Sequence, residues 1–254
     1  MPIKQVRALR RGLEVLTALN RMKGASALDL ARRTKIPRPT VYRLLETLEE
    51  MGFVTRSPTD ETWHLTISVR TLSAGYDDET WVRQVALPVV NKLQRAIIWP
   101  VDLTTFDRDT MVVRETTHRS SPFSIDPGMA GTRLPMLTTS AGRSYLAFCS
   151  EEEREAILER LLRDQTVADR AVIDSMLAQA QREGFARRTD DYRPGTASIA
   201  VPVRWDGRVL ACLAVIWITS AMTTQQAIDR LLAPLRDAAA EVETGLAGYQ
   251  GLVR

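Results

Sequence analysis

Two cysteines and two histidines in 254 residues leave little material for a disulfide framework or a zinc site. Cys149, Cys212, His64 and His118 also lie far apart along the chain, so no metal centre is expected and a reducing cytoplasm suits the composition. Long apolar runs are equally scarce. The longest, from Val209 to Ile218, falls well short of the ~20 residues a membrane-spanning helix needs, and it reads as a buried strand. The basic N-terminus is followed by no apolar core of a secretory leader, so no membrane partner is expected. There is no G-x-S-x-G elbow, Walker loop, H-E-x-x-H helix or dinucleotide fingerprint; no catalytic residue and no cofactor is expected.

What is present is a globular composition, 44% hydrophobic and 26% charged, long enough for one large domain or two ordinary ones. Of 34 basic and 31 acidic residues, the first 60 positions hold 12 and 6, which leaves 22 and 25 for the remainder. A small basic module joined to a larger, mildly acidic one points to a polyanion-binding head and a differently employed body.

The head has a helical pattern. Val15, Leu16, Leu19 and Met22, with Gly12 on the same face, recur at helical spacing and stop at Gly24. Ser26-x-x-Asp29 resembles a capping box opening a short helix that buries Ala27, Leu30 and Ala31 and ends near Thr34. Pro37 and Pro39 occupy the start of a third helix, where a missing amide hydrogen costs little, and Val41, Leu44, Leu45 and Leu48 form its core stripe. Helix, short turn, helix is the helix-turn-helix layout. The opposite face carries Arg38, Pro39, Thr40, Tyr42 and Arg43. Arginine forks match guanine edges or phosphates, and such a helix fits the major groove of double-stranded DNA. Residues 53–56 and 61–65 flank a Pro-containing turn and form a hairpin, the wing of a winged helix, with Arg56 placed to reach a phosphate. Trp63 is expected to anchor the wing to the core, and His64 to lie at the surface.

These segments resemble the IclR family of bacterial transcriptional regulators. The likeness is carried by Val6-Arg7-Ala8-Leu9-Arg10-Arg11-Gly12-Leu13, by residues 37–45 (Pro37-Arg38-Pro39-Thr40-Val41-Tyr42-Arg43-Leu44-Leu45), and by residues 48–54. It continues through residues 131–136, Ala141-Gly142-Arg143 and residues 198–203. Within the family, residues 111–119 and 146–149 look most like activators of aromatic-acid catabolism, those answering to 3-(3-hydroxyphenyl)propionate. Pro39 departs from the Ser or Thr usual at that position, which removes a hydroxyl contact and is expected to push Arg38 out of helical geometry.

The resemblance implies an α+β protein in three parts: a winged helix-turn-helix domain at 1–67, a linker helix at 68–80, and a GAF-like effector-binding and oligomerisation domain at 81–254. It implies a homodimer, or a tetramer made of two dimers, reading a pseudo-palindromic operator, with RNA polymerase as a further contact. From pattern alone, the body reads as helices at 82–95, 138–148, 151–163, 169–183 and 223–246, the last bent near Pro234. Strands are expected at 101–106, 111–116, 185–188, 198–203 and 209–218.

A small aromatic carboxylate needs an apolar slot and a cation or several donors for its charge. Arg133, in the segment from Gly131 to Met136 where the family closes its pocket, is the expected carboxylate partner, with Arg114 as rival. Leu134, Met136, Ser198, Ala214 and Ile216 are the expected walls, matched to the family position by position, and Cys212 joins them because it shares the alternating face of Ala214 and Ile216. Relatives that bind small oxoacids carry hydroxyls where this chain has Ala214 and Ile216, which implies a larger, more apolar ligand. An enzyme with a DNA-binding head and a constitutive architectural protein are the competing classes.

Overall fold

A computed structural model describes residues 6–73, 80–125, 130–163, 167–189 and 192–249. Contacts divide the chain into two units, Met1–Asp77 and Asp78–Arg254, each with its own core.

In the first unit, helices α1 (Arg7–Met22), α2 (Ala27–Thr34) and α3 (Arg38–Glu50) precede a hairpin of β1 (Val54–Arg56) and β2 (Trp63–Leu65). The start of α2 is set by Ser26, whose hydroxyl accepts the Asp29 N–H at 3.2 Å and donates to the Asp29 carboxylate at 2.6 Å. Lys35 turns the chain in the left-handed region, and Pro37 caps α3. Val15, Leu19, Leu30, Val41, Leu45 and Trp63 pack into one core. Trp63 also exchanges both backbone hydrogen bonds with Ala25, tying the wing to the turn between α1 and α2. Gly24 sits there at φ 134; a Cβ at this position would lie 2.4 Å from His64 Cε1, so the turn admits only glycine.

Three local expectations change. Arg38 is the first residue of α3 despite preceding Pro39, because at the first turn no upstream carbonyl is blocked by the ring. Met22 is largely exposed, since the core stripe of α1 ends at Leu19. The linker begins as a 3₁₀ helix, Ile67–Ser73, rather than an α-helix, and its remainder to residue 78 lies outside the described residues.

The second unit is built on an antiparallel six-stranded sheet in the order β5-β4-β3-β8-β7-β6. The strands are β3 (Val101–Asp107), β4 (Thr110–Thr116), β5 (Arg133–Pro135), β6 (Ala186–Thr189), β7 (Thr196–Trp205) and β8 (Arg208–Ile218). The helices are α4 (Leu87–Ile97), α5 (Ser140–Phe148), α6 (Glu151–Leu161), α7 (Val167–Glu183) and α8 (Thr224–Ala247), with a wide π turn, Val82–Ala86, leading into α4. Side chains alternate across the sheet. Val101, Leu103, Ile199, Val201, Leu213, Val215 and Trp217 meet α4 and α8 on one face. Met111, Ala186 and Cys212 meet α5, α6 and α7 on the other. Helices on both faces of one sheet make the expected α+β fold.

Here too the structure departs from pattern. α8 runs unbroken through Pro234; the loss of one backbone bond, about 3 kcal/mol, is offset by burial of Leu231, Leu232, Leu235, Ala238, Ala239, Val242 and Leu246 along its length. Residues 133–135, read as loop, form the edge strand β5, where Pro135 is tolerated because an edge needs fewer ladder bonds. Among the described residues, no helix is long and apolar enough to cross a membrane.

Candidate functional site

The outward face of α3 gathers the polar groups singled out in the sequence. Arg38, Pro39 and Arg43 are exposed, while Thr40 and Tyr42 are half-buried at the margin of the core that fixes the helix. Arg38 Nη2 donates to Tyr42 Oη at 3.3 Å, and its guanidinium lies 5.4 Å from the ring centroid. The two side chains therefore organise each other before any ligand arrives. On the wing, the Arg56 N–H donates to Glu49 Oε1 at 3.0 Å, and its guanidinium pairs with Glu61 at 2.8 Å. At the wing tip, Asp60 accepts from Thr62 and Ser57 hydroxyls, which hold its carboxyl down at about 2.

In the second unit, the face of the sheet beneath α5 carries the other candidates. Cys212 and Ala214 are buried there and Ile216 half-buried, at alternating positions along β8. Opposite them on β7, Ser198 pairs with Ile216, and Ala200 with Ala214. Leu134 and Met136 pack in the same α5-side core. Gly142 lets α5 press on the Met136 backbone: a Cβ there would fall 2.2 Å from its carbonyl oxygen. Gly131 is exposed at φ 80, bonded through its N–H to the Val113 carbonyl, and open around its Cα.

Both arginines expected to meet a carboxylate are turned away. On β5, Leu134 pairs with Met111 and shares its face, so Arg133, opposite Val112, projects from the other side. There it pairs with Asp107 and donates to Thr110 Oγ1 at 2.8 Å. Arg114 is the extra residue of a bulge between β3 and β4, and its Nη1 donates to Thr105 Oγ1 at 3.2 Å. Thr105 shares its side with Leu103, on the α4–α8 face.

An arginine that does enter the α5-side face is Arg188 of β6, which was not among the residues singled out in the sequence. It is only 3% exposed and lies beside Ser198 in the ladder. Its Nε donates to Ser198 Oγ at 3.1 Å, and its Nη groups reach the Thr196 carbonyl and hydroxyl at 2.9 and 3.0 Å. Ser198 in turn shares a 2.7 Å hydrogen bond with Ser140 in the first turn of α5. A guanidinium, two hydroxyls and a helix start thus converge beside a floor of Ala200, Ala214 and Ile216. Burial pushes Cys212 up to about 12 and Cys149 up to about 11, so both thiols are protonated at neutral pH.

The description "IclR helix-turn-helix domain" matches residues 8–58, and "Bacterial transcriptional regulator IclR C-terminal" matches residues 75–244. The chain belongs to the IclR family of transcriptional regulators. IclR proteins are DNA-binding regulators rather than enzymes. The transcriptional repressor AllR of Escherichia coli is 26% identical over 253 residues, covering 96% of this chain and 91% of that protein. The Pca regulon regulatory protein of Pseudomonas putida is 28% identical over 242 residues, covering 91% and 82%. An IclR homologue from Microbacterium hydrocarbonoxydans, solved in complex with 4-hydroxybenzoate, is 26% identical, covers 95% of this chain and 100% of that one, and has a TM-score of 0.68. The IclR of Thermotoga maritima, 20% identical, shares the fold at the same TM-score over 96% and 100%.

In this IclR chain, a signal for Arg188 was present but ambiguous. Phe185 and Ala186 are both apolar, one packing against each face of the sheet, so alternation alone could not say which of Arg187 and Arg188 turns inward. Cross-strand pairing with Ser198 decides it.

Proposed function

We propose that this regulator controls an aromatic-acid catabolic operon, as an activator, and that its effector is a small aromatic carboxylate of the phenylpropionate type. The observation that carries the effector class is Arg188: a buried guanidinium hydrogen-bonded to Ser198 and placed beside Ser140, at one end of an apolar floor formed by Ala200, Ala214 and Ile216. In this reading Arg188 supplies the positive charge that meets the carboxylate, the Ser140–Ser198 pair adds a hydroxyl, and the small floor residues leave room for a ring. Leu134, Met136 and Cys212 serve as the apolar wall. The 4-hydroxybenzoate held by the Microbacterium homologue supports the chemical class. The AllR relatives are named as repressors, which keeps repression as the second reading of the sign.

On the DNA side, Arg43 and Arg38 meet base edges or phosphates from the start of α3. Pro39, Thr40 and Tyr42 pack against the backbone, and Arg56 contacts phosphate from the wing. Two copies, as a dimer or a dimer of dimers, present two such heads to a pseudo-palindrome. The effector acts by its differential affinity for two arrangements of those heads or for a contact with RNA polymerase.

The test is footprinting on DNA flanking the gene, paired with calorimetry of the purified protein with 3-(3-hydroxyphenyl)propionate. Protection that falls steeply with salt, and heat of binding without turnover, are expected. Absence of heat across a panel of aryl acids would remove the effector assignment, and turnover would return the enzyme reading. A promoter fusion that rises with the acid only in the presence of the intact gene supports activation; one that is derepressed by deletion reverses the sign.

A further inference from the structure

The same face of the second unit has a second polar cluster, across the sheet from Arg188. Asp102 on β3 is the cross-strand neighbour of Ala214, which pairs onward with Ala200. Its Oδ1 accepts the Thr116 hydroxyl at 2.6 Å, and among the described residues no other group donates a hydrogen bond to it. His118, two residues beyond the end of β4, shares a 2.6 Å hydrogen bond between its Nδ1 and Ser124 Oγ. That bond leaves Nε2 aimed at Asp102, at 3.9 Å from Oδ1. Both side chains are nearly buried, at 9% and 13% exposure.

The distance is the informative feature. At 3.9 Å the imidazole and the carboxyl are too far apart for a direct hydrogen bond, yet a single oxygen set to one side of the line joining them, about 2.8 Å from each, comes within bonding range of both. A hydroxyl has the required chemistry: its hydrogen goes to an Asp102 oxygen, and its lone pair takes the Nε2–H. A carboxylate does not, since it has no hydrogen to give an Asp102 oxygen. Burial pushes the Asp102 carboxyl up from its usual range and the His118 imidazole down, with Arg193 as the further charge facing both, so the pair is held close to neutrality and is suited to a neutral polar ligand group.

We infer that Asp102 and His118 form a hydroxyl-reading pole of the effector site, which selects ring-hydroxylated aryl acids over their unsubstituted counterparts. This rests on the reading of Arg188 as the carboxylate partner. Asp102 and Arg188 stand three strand spacings and two residues of register apart, roughly 16 Å between Cα positions along the sheet. Side chains reaching inward from both ends shorten that span to the reach of a ring with a short acid arm, and a two-carbon oxoacid cannot bridge it. Ala200 and Ala214 lie between the poles, small enough to admit the ring.

The experiment measures affinities of the full chain for 3-(3-hydroxyphenyl)propionate and 3-phenylpropionate by calorimetry, in the parent and in Asp102→Leu and His118→Leu. The parent is expected to favour the hydroxylated acid at least about tenfold, because a site built to bond a hydroxyl is left with unpaired groups by the analogue. Each variant should bring that ratio below about threefold while retaining 3-phenylpropionate binding. Because either variant could fold poorly, the imidazole resonances of the parent supply a second readout. The chain has only two histidines, so His118 is assignable, and it should shift with the hydroxylated acid and stay in place with the other. Equal parent affinities, or a ratio unchanged in folded variants, or an unmoved His118 overturns the hydroxyl pole while leaving the carboxylate reading intact. Failure of both acids to bind the parent overturns both.

Discussion

In the first unit the groups assigned to the ligand lie on the outside of a helix whose inside is core; in the second they lie inside, between a sheet and the helix that covers it. The outer face of α3 is solvated, so Arg38 and Arg43 are carried there at little folding cost, and on the proposed reading they contribute only against phosphate or base edges. The inner face of the sheet cannot tolerate an unbonded guanidinium, so Arg188 is fixed by Ser198 and Thr196 before any effector arrives. Exposure makes the DNA face additive, salt-sensitive and tolerant. Burial makes the effector face rigid, selective and intolerant.

The largest effect should come from breaking the buried side. Arg188→Ala removes the fixed cation and leaves Ser198 and Thr196 with altered partners, so affinity for the aryl acid should fall at least about 100-fold. Operator affinity without effector should stay within about twofold. Calorimetry and gel retardation on one preparation check both halves. Loss of DNA binding alongside acid binding would show that the substitution damages the protein at large, and the contrast between the two units would lose its basis.

On the exposed side, effects should be smaller and graded. Arg43→Ala should weaken operator binding roughly 10- to 100-fold, as expected for loss of one base-reading or phosphate-reading arginine. Arg56→Ala should cost less, because that guanidinium already pairs with Glu61 and must give up this partner to reach DNA. A salt series separates the roles: a phosphate contact lowers the slope of log affinity against log salt by about one, whereas a base contact leaves the slope and relaxes sequence preference. Identical curves for parent and both variants would take DNA off this face.

Legibility followed the same division. The three helices of the first unit rest on local signals, apolar residues at helical spacing and the Ser26 cap, and the structure places their ends within a few residues of the pattern. In the second unit, strand positions were equally legible, but strand faces were not. Arg114 was displaced by a bulge, which is one extra residue relative to a partner strand and leaves no mark in its own sequence. Arg188 was obscured because the buried Phe185 directly precedes the buried Ala186, so the apolar pattern at the start of its strand does not mark the inner side. β5 is three residues long and contains Pro135, so it looks like a loop until β4 supplies its ladder. The Asp102–His118 pair joins residues from a strand and a following turn, and no short motif holds them.

The smallest effect should belong to Arg133, and that makes it the sharpest control. Its chemistry suits a carboxylate as well as that of Arg188 does, and its segment is the one to which the family resemblance pointed; only geometry separates the two. Strand alternation sends Leu134 toward Met111 and the α5-side core, and sends Arg133 the other way to Asp107 and Thr110. That side chain is about half exposed, at 54%. An ion pair of this kind, screened by water and salt, contributes about 0–1 kcal/mol to stability. Arg133→Ala is therefore expected to change acid affinity by less than about twofold, and the melting temperature by no more than a degree or two. The comparison with Arg188→Ala on the same calorimeter decides between the two cations. A loss at Arg133 approaching the loss at Arg188 would require β5 to turn over when ligand binds, placing the carboxylate at the edge of the sheet rather than beside α5.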